Sequence, residues 1–258
     1  MIPPACHAGR PKKFMERDRM ERPFVVCHML TSLDGKIDGA FFHTPETAPA
    51  LNAYGRLRGF YGCQATLYGT TTMLGGYADG EVPAPPSAHT PLLRKDWVNA
   101  EGRALGNFIV SMDPQGILSF SSHILEKKGR PAAHVIEVLT EQAAPEYLAY
   151  LQKQGVSYIV AGKKRVDCAL LLHKLRTVFG IDTLMVAGGG ITNWSFLQDD
   201  LIDELSLVIA PVADGSADSA SIFEQAAFLP VRPPQAFTLI EVKVLDGDTL
   251  WLRYHLRH

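Results

Sequence analysis

Short apolar segments recur along the chain, and most of them lack the alternation of apolar and polar residues that marks a half-exposed strand. They lie at 24–30, 65–68, 108–110, 134–139, 158–160 and 183–186. Continuous apolar runs of this length are typical of strands buried on both faces, as in parallel sheets. The pattern therefore predicts a mostly parallel sheet with helices on both of its faces.

Helical periodicity appears between several of these segments. At 145–154 and 167–179 the apolar residues share one face of a helix, as expected for helices that pack on a sheet. Asp167 stands where an N-cap residue is expected. A third helical pattern follows Asn193 and Trp194. The alternation of strands and helices predicts βαβ units.

The last part of the chain has a different pattern. Segments 204–209, 237–244 and 249–256 alternate between apolar and polar residues, which is typical of antiparallel strands with one solvated face. Asp246 and Gly247 favour a type I′ hairpin turn between the last two segments. We therefore predict a three-layer α/β fold, with a mostly parallel central sheet flanked by helices and finished by C-terminal antiparallel strands.

The domain organisation follows from composition along the chain. The segment 1–21 is rich in Pro, Arg and Lys without apolar periodicity, and we predict a flexible N-terminal extension there. No internal repeat or linker divides residues 22–258, which we predict to form a single domain. The Pro- and Gly-rich segment 75–91 predicts a long surface loop, of a length that indicates function or disorder.

Bulk composition narrows the function classes. The chain has 258 residues, a mass of 28.3 kDa, a formal net charge of −2 and a pI near 6.5. This balance gives no electrostatic indication of nucleic acid or anionic membrane as a partner, and no apolar run is long enough for a membrane span. The four cysteines lack CxxC spacing, so we expect no metal site, no disulfide scaffold and a cytoplasmic location.

Two glycine-containing turns carry the candidate chemistry. The strand at 183–186 runs into Gly188, Gly189 and Gly190, and the strand at 65–68 runs into Gly69 and three threonines. Glycine lets backbone N–H groups approach a phosphate, and a helix N-terminus favours negative charge. The spacing does not satisfy GxGxxG, because the third position falls on Asn193. Two such turns indicate a ligand with two anionic groups, such as a nicotinamide dinucleotide, although a plain tight turn explains either one alone.

Three segments together indicate a family: RPFVVCHMLTSLDGKIDG (22–39), ATLYGTTTM (65–73) and GIDTLMVAGGGITNWSFLQDDLIDELSLVIAPVADG (180–215). They resemble the reductase domain of the bacterial bifunctional deaminase/reductase of riboflavin biosynthesis, within the dihydrofolate-reductase-like superfamily. The resemblance covers about residues 22–256. It implies a dihydrofolate-reductase-like fold, a homodimer, and an NADPH-dependent reductase that converts the ribosylamino group of a phosphorylated aminouracil into a ribitylamino group. The zinc signature of the deaminase half is not found in this sequence.

Individual roles follow from the resemblance and from position. Asp34 belongs to the loop that resembles the family's S-L-D-G-K motif, whereas His28 lies late in a buried strand and titrates in a useful range. His28 and Asp34 are the expected catalytic residues, with His28, or water held by Asp34 and Ser32, delivering a proton. Ser32, Lys36 and Arg58 are expected to bind substrate. The expected cofactor-binding residues are Gly69, Thr70, Thr71, Thr72, Ser111, Gly162, Gly188, Gly189, Gly190, Ile191 and Thr192.

Two positions depart from the family pattern. His28 replaces a lysine of the bifunctional enzymes, and Ala187 replaces a glutamate that precedes the glycine pair. The alternative functions for this chain are therefore that of a reductase of a pterin or another heterocycle, or that of a nucleotide-binding protein without catalysis. Asp113, close to Ser111, is unfavourable to a 2′-phosphate, so the preference for NADPH over NADH rests mainly on the family. A buried, satisfied histidine is the structural alternative for His28.

Overall fold

The computed structural model describes residues 21–82, 95–127 and 129–257. The predicted N-terminal extension lies outside the described residues except for Glu21, and so does the second half of the predicted loop at 75–91. Within the described ranges, no helix is both long and apolar enough to cross a membrane.

The described elements follow the predicted order of strands and helices. The strands are β1 (Phe24–Thr31), β2 (Ala65–Gly69), β3 (Gly80–Glu81), β4 (Phe108–Met112), β5 (Leu118–Ser119), β6 (Ile124–Leu125), β7 (Ala133–Leu139), β8 (Ser157–Val160), β9 (Thr183–Val186), β10 (Glu204–Ile209), β11 (Phe237–Val244) and β12 (Leu250–Leu256). The helices are α1 (Ala48–Tyr61), α2 (Thr70–Leu74), α3 (Ala100–Ala104), α4 (Pro145–Gln154), α5 (Cys168–Phe179) and α6 (Gly190–Leu197), with 3-10 turns at Ala40–His43 and Pro45–Thr47.

Ten strands form one sheet in the order β11-β12-β10-β1-β9-β2-β4-β7-β6, and β8 also pairs with β7. Seven of these strands form a parallel series, in the order β10, β1, β9, β2, β4, β7 and β8. Every predicted buried strand belongs to it, which confirms the mostly parallel sheet. Strands β3 and β5 form a separate antiparallel pair.

Helices cover both faces of the sheet. On one face α5 and α6 bury residues such as Leu172, Leu175 and Phe196 against β1, β9 and β2. On the other face α4 packs over β4 and β7, and α1 packs beside it over β1 and β10. Fully burying an aliphatic or aromatic side chain contributes about 1.5–3 kcal/mol, so these layers hold the strand ends in fixed positions. The predicted N-cap is confirmed: the Asp167 carboxylate accepts a 2.9 Å hydrogen bond from the Leu170 N–H.

The C-terminal strands correct the predictions in two details. Strand β10 was grouped with the antiparallel strands by its alternation, yet it is parallel to β1 and antiparallel only to β12. Its polar residues Glu204 and Ser206 are both buried, so the alternation does not mark a solvated face. The hairpin between β11 and β12 is confirmed, but positive φ occurs at Gly247 (65°) and Asp248 (56°), not at Asp246. The Leu245 N–H donates to the Thr249 carbonyl over 2.7 Å, so the loop is longer than a two-residue type I′ turn.

Candidate active site

Three neighbouring strands bring the sequence motifs to one edge of the sheet. Strand β9 lies between β1 and β2, and all three are parallel. Their carboxyl ends therefore point the same way, which is where ligands bind in open α/β sheets. The loop that begins at Ser32 follows β1, the three glycines follow β9, and the threonines follow Gly69 at the end of β2.

The two glycine turns pack directly against each other around Thr192. An ideal Cβ placed on Gly69 lies 2.6 Å from the Thr192 Oγ1, and one placed on Gly188 lies 2.9 Å from the Thr192 Cβ. Both distances are shorter than real Cβ contacts, so glycine is required at both positions. The two turns predicted to bind one ligand are thus in contact.

Gly189 has a different environment. Within the part of the chain that the structure describes, no atom lies within 4 Å of an ideal Cβ on this residue. Gly189 is the N-cap of α6, and no described side chain caps the helix. The first N–H groups of a helix have no intrahelical acceptor, and the helix dipole favours an anion there. An open glycine at an uncapped helix start fits the pyrophosphate of a dinucleotide.

The remaining glycine of the turn is fixed by a neighbouring loop. A Cβ on Gly190 would lie 2.4 Å from the Ser221 carbonyl oxygen and 2.7 Å from the Glu224 Cγ. The Glu224 N–H donates to the Gly190 carbonyl, and the Glu224 carboxylate accepts from the Ser221 N–H at 2.7 Å. This carboxylate is held within its own loop. Ile191, Thr71 and Thr72 line the same edge with exposed or half-buried side chains, and Thr70 donates to the Met112 carbonyl.

The loop after β1 is held by Asp34. The Ser32 hydroxyl donates a 2.5 Å hydrogen bond to Asp34, and the N–H groups of Asp214 and Gly215 donate to the same carboxylate at 3.0 and 2.9 Å. These hydrogen bonds, with that of Ser32 strongest, hold the pKa of Asp34 below its usual range. Asp34 is therefore ionised and fastens its loop to residues 214–215. Lys36 donates to the Ser219 carbonyl over 3.2 Å.

The His28 side chain lies inside the protein, on β1. It is 0% exposed, its Nδ1 is 2.9 Å from the Ser206 Oγ, and its Nε2 is 3.1 Å from the Tyr54 carbonyl oxygen. Its ring stacks on Tyr54 with centroids 4.5 Å apart. Burial lowers the pKa of His28 to about 4. His28 is thus a neutral, hydrogen-bonded core histidine whose side chain points under α1, and its role as proton donor stays a prediction.

Ser111 lies on β4, and Gly162 lies in the loop after β8. Ser111 is 0% exposed and is level with Tyr68 on β2 and with Glu137 on β7, and its role in cofactor binding stays a prediction. Gly162 follows β8, with φ of 113° and a Cβ position 2.1 Å from the Arg165 carbonyl oxygen. Glycine is therefore required there by the local backbone. Gly162 remains at the ligand edge, three strands from β2.

The predicted substrate residue Arg58 belongs to a cluster that the sequence did not reveal. Its Nη2 lies 2.8 Å from the Thr66 Oγ1 and 3.1 Å from the Tyr68 hydroxyl. Arg130 donates to the hydroxyls of both Tyr68 and Tyr77 at 3.1 and 3.0 Å, and the Tyr77 hydroxyl lies 3.1 Å from that of Tyr68. We call Arg58, Tyr68, Tyr77 and Arg130 the phenol–guanidinium cluster. Among the described residues, neither of its arginines forms an ion pair with a carboxylate.

Comparison with known proteins decides the family. A sequence model described as the RibD C-terminal domain matches residues 23–251. The chain belongs to the RibD C-terminal domain family. The resemblance stated from the sequence is therefore confirmed. This RibD C-terminal domain is similar to the 2,5-diamino-6-ribosylamino-4(3H)-pyrimidinone 5′-phosphate reductase of Methanothermobacter thermautotrophicus, with 30% identity over 204 residues, 79% of this chain and 84% of the relative.

Solved structures share the fold of this RibD C-terminal domain. A pyrimidine reductase-like protein from Corynebacterium diphtheriae matches with a TM-score of 0.64 and 17% identity, covering 98% of this chain and 97% of that one. Acinetobacter baumannii RibD matches with a TM-score of 0.63 and 21% identity. That match covers 95% of this chain and 61% of the RibD chain, so the domain spans about three-fifths of that protein. These similarities confirm the predicted α/β fold.

Membership in this reductase family implies a nicotinamide cofactor. The glycine turns fit such a group because they combine open backbone with a helix N-terminus. The catalytic side chains are less well matched. Ala187 has no polar group, and His28 is already satisfied inside the core.

Proposed function

We propose that this RibD C-terminal domain is an NADPH-dependent reductase of 2,5-diamino-6-ribosylamino-4(3H)-pyrimidinone 5′-phosphate. The observation that carries the proposal is the contact between two glycine turns at neighbouring strand ends in a chain 30% identical to a reductase of that name. Two further relatives with the same name are each 27% identical to this chain. The deaminated aminouracil expected from the sequence is the second candidate substrate.

The proposed cofactor cradle combines the predicted glycine and threonine residues. One side of the cradle consists of Gly188–Gly190, Ile191 and Thr192. The other side consists of Gly69 and the threonines of α2. A bound reduced nicotinamide supplies the hydride for reduction at C1′. The protein holds the pyrophosphate through backbone N–H groups and thereby fixes the position of the reacting groups. Gly162, which follows β8, forms a more distant part of the cradle, and Ser111 on β4 is fully buried.

Ser32, Lys36 and Arg58 remain the proposed substrate residues. Ser32 and Lys36 belong to the loop that Asp34 fastens beside the ligand edge. Arg58 carries a positive charge without a carboxylate partner among the described residues, which suits a substrate with a 5′-phosphate. The role proposed for Asp34 is to hold this loop, because its lowered pKa makes it a poor proton donor at neutral pH.

The preference for NADPH over NADH is supported by a basic loop after β8. Lys163, Lys164 and Arg165 are all exposed and directly follow Gly162. Three adjacent cations favour a 2′-phosphate over a ribose hydroxyl. Asp113 is 1% exposed and accepts from the N–H groups of Ile117 and Leu118 at 2.6 and 2.9 Å, so it is turned away from a ligand. We expect Lys164→Glu to weaken NADPH binding at least tenfold more than NADH binding, as roughly 1.4 kcal/mol corresponds to tenfold.

The proposed homodimer is supported by an exposed apolar face on the last two strands. Leu239, Val242 and Val244 are 51%, 52% and 73% exposed, and the latter two pair with Leu252 and Leu250 on β12. Exposed apolar patches on edge strands mark association surfaces. Light scattering should give twice the mass of one chain for the wild type, and Val242→Lys should lower it. A monomeric wild type at micromolar concentration contradicts the dimer.

The substrate assay separates the candidate functions. Purified protein with NADPH is given the diamino-pyrimidinone phosphate, the deaminated aminouracil phosphate and dihydrofolate, and loss of reduced nicotinamide is followed by absorbance. We expect rapid oxidation with the first compound. Preference for the aminouracil moves the proposal to the second candidate, and preference for dihydrofolate supports a pterin reductase. Saturable NADPH binding without oxidation by any compound supports a nucleotide-binding protein without catalysis. The cytoplasmic location stays a prediction.

A further inference from the structure

The position that lacks the family's glutamate lies next to a tyrosine on the neighbouring strand. Val186 on β9 pairs with Cys27 on β1 and with Leu67 on β2. One residue further along each strand, Ala187 therefore lies between His28 and Tyr68. Side chains at one level of a parallel sheet point to the same face, and Ala187 and Tyr68 pack in the same cluster on the α4 side of the sheet.

We infer that Tyr68 is the proton donor of the proposed reduction, with Arg58 and Arg130 stabilising its phenolate. The inference rests on the proposed function. It assigns the acid role, which neither Ala187 nor the buried His28 fills, to a residue that directly precedes Gly69 of the cradle.

The hydrogen bonds around Tyr68 suit a group that loses a proton. Arg58 and Arg130 each lie 3.1 Å from its hydroxyl oxygen, and a guanidinium can only donate. Tyr77, stacked on Tyr68 with ring centroids 4.6 Å apart, is the third group within hydrogen-bonding distance of that oxygen. Donors therefore surround the oxygen, an arrangement that favours the phenolate over the phenol.

The charges near Tyr68 also favour its phenolate form. Burial alone would raise the pKa of Tyr68, but the positive charges of Arg58 and Arg130 and the hydrogen bond from Tyr77 hold this pKa below its ordinary value. Burial and the neighbouring Tyr68 raise the pKa of Tyr77 to about 12, so Tyr77 keeps its proton and donates. Other titratable groups pack here as well: Tyr54 and Tyr61 on α1, His28 on β1, Cys63 before β2, and Lys127, whose Nζ lies 5.1 Å from the centroid of the Tyr77 ring.

Tyr68 is 4% exposed, but two groups that contact its hydroxyl oxygen are accessible to solvent. Arg130 is exposed and Tyr77 is half-buried, and both lie within hydrogen-bonding distance of that oxygen. The ring is thus buried against the sheet, while its hydroxyl lies among groups that reach solvent. Water at this surface can return the proton after each turnover.

The proposed step adds a hydride to carbon and a proton to nitrogen. As C1′ of the opened ribosylamino group takes up a hydride, the C1′–N double bond becomes a single bond and its π electron pair moves to the nitrogen. The Tyr68 O–H bond breaks, its proton goes to that nitrogen, and the electron pair remains on the phenolate beside Arg58 and Arg130. The reductant is the reduced nicotinamide of the proposed function, and the C1′–N group is reduced.

Tyr68→Phe removes the proton and keeps the ring. We expect kcat to fall at least about 100-fold, since general acid catalysis contributes roughly 10²–10⁴, with the dissociation constant for NADPH unchanged within about threefold. A tyrosinate absorbance titration should lose its component of lowest pKa in this variant. Tyr150→Phe is the matched control. Tyr150 lies on α4, and its hydroxyl donates to the Phe120 carbonyl at 2.8 Å. The kcat of this variant should equal that of the wild type.

Arg130→Gln provides a second variant at an exposed position. Because it removes a positive charge that stabilises the phenolate, the pKa of Tyr68 should rise and the alkaline fall of kcat should move to higher pH. A purely structural role of Tyr68 gives no such movement.

The outcomes separate the inference from the proposed function. If the kcat of Tyr68→Phe lies within about threefold of wild type, the role of Tyr68 is overturned and the proposed function is not. The same holds if the fall of kcat at alkaline pH does not move in Arg130→Gln. A wild-type protein that oxidises no NADPH with any pyrimidine substrate overturns the proposed function, and the role of Tyr68 with it.

Discussion

Replacing Gly189 by Asp should strongly weaken cofactor binding without harming the fold. The site tolerates a side chain, because no atom of the described residues lies within 4 Å of an ideal Cβ and φ is −64°. Asp is also a preferred N-cap residue, so α6 should be as stable as before or slightly more stable. Stability and binding should therefore change in opposite directions.

The loss of binding can be worked out from charge. For each negative charge bound within about 5 Å of the new carboxylate, repulsion at an effective dielectric constant near 20 is about 3 kcal/mol. That energy raises the dissociation constant roughly 150-fold. Gly189→Asn is the matched control, because Asn has the same size and capping ability but no charge. The difference between Asp and Asn isolates the electrostatic part.

The assay is a fluorescence titration of NADPH into wild type, Gly189→Asp and Gly189→Asn, with urea unfolding of all three. The ratio of the Asp to the Asn dissociation constant should be near 150 at low salt and should shrink as salt screens the carboxylate. Unchanged affinity in Gly189→Asp refutes the assignment of the glycine turn to the cofactor. Equal losses in Asp and Asn refute the charge argument and leave a steric one.

Three other substitutions test the structural roles of buried groups. The pKa of His28 is about 4 in the folded protein and near 6.5 in the unfolded chain, so the stability present above pH 6.5 is lost as the pH falls towards 4. The free energy of unfolding of His28→Gln, measured in urea, should therefore fall by about 2 kcal/mol less than that of the wild type between about pH 8 and pH 5. An unchanged pH dependence contradicts this. Gly188→Ala should destabilise the fold by about 1–3 kcal/mol because its Cβ overlaps Thr192, and a wild-type urea midpoint is the contrary result. Glu204→Gln leaves buried Arg253 without its bidentate partner and should cost about 3 kcal/mol; a thermal midpoint equal to wild type speaks against it.

The sheet could be predicted from sequence because its strands are buried on both faces. In a strand such as β9, which lies between two neighbours and two helix layers, the three buried positions Leu184, Met185 and Val186 are all apolar. The glycine turns were predictable for a similar reason, since close backbone packing around Thr192 excludes a side chain at Gly69 and Gly188. Both features are local consequences of composition.

The chemistry of the side chains was less predictable because it depends on strand order. Nothing in the sequence states that β9 inserts between β1 and β2, and only that order places Ala187 beside Tyr68. His28 could be assigned to β1, but its orientation under α1 depends on Tyr54 and Ser206, which are distant in sequence. Arg130 reaches Tyr68 from the turn before β7, a contact between residues 62 positions apart.

The central claim is that the paired glycine turns hold a nicotinamide cofactor for reduction of a pyrimidine ribosylamino phosphate. The most direct test mixes the purified protein with a limiting amount of 2,5-diamino-6-ribosylamino-4(3H)-pyrimidinone 5′-phosphate and excess NADPH, and measures the NADPH consumed. The account predicts one NADPH oxidised per substrate molecule and a ribitylamino product. Complete recovery of both compounds after incubation would contradict it.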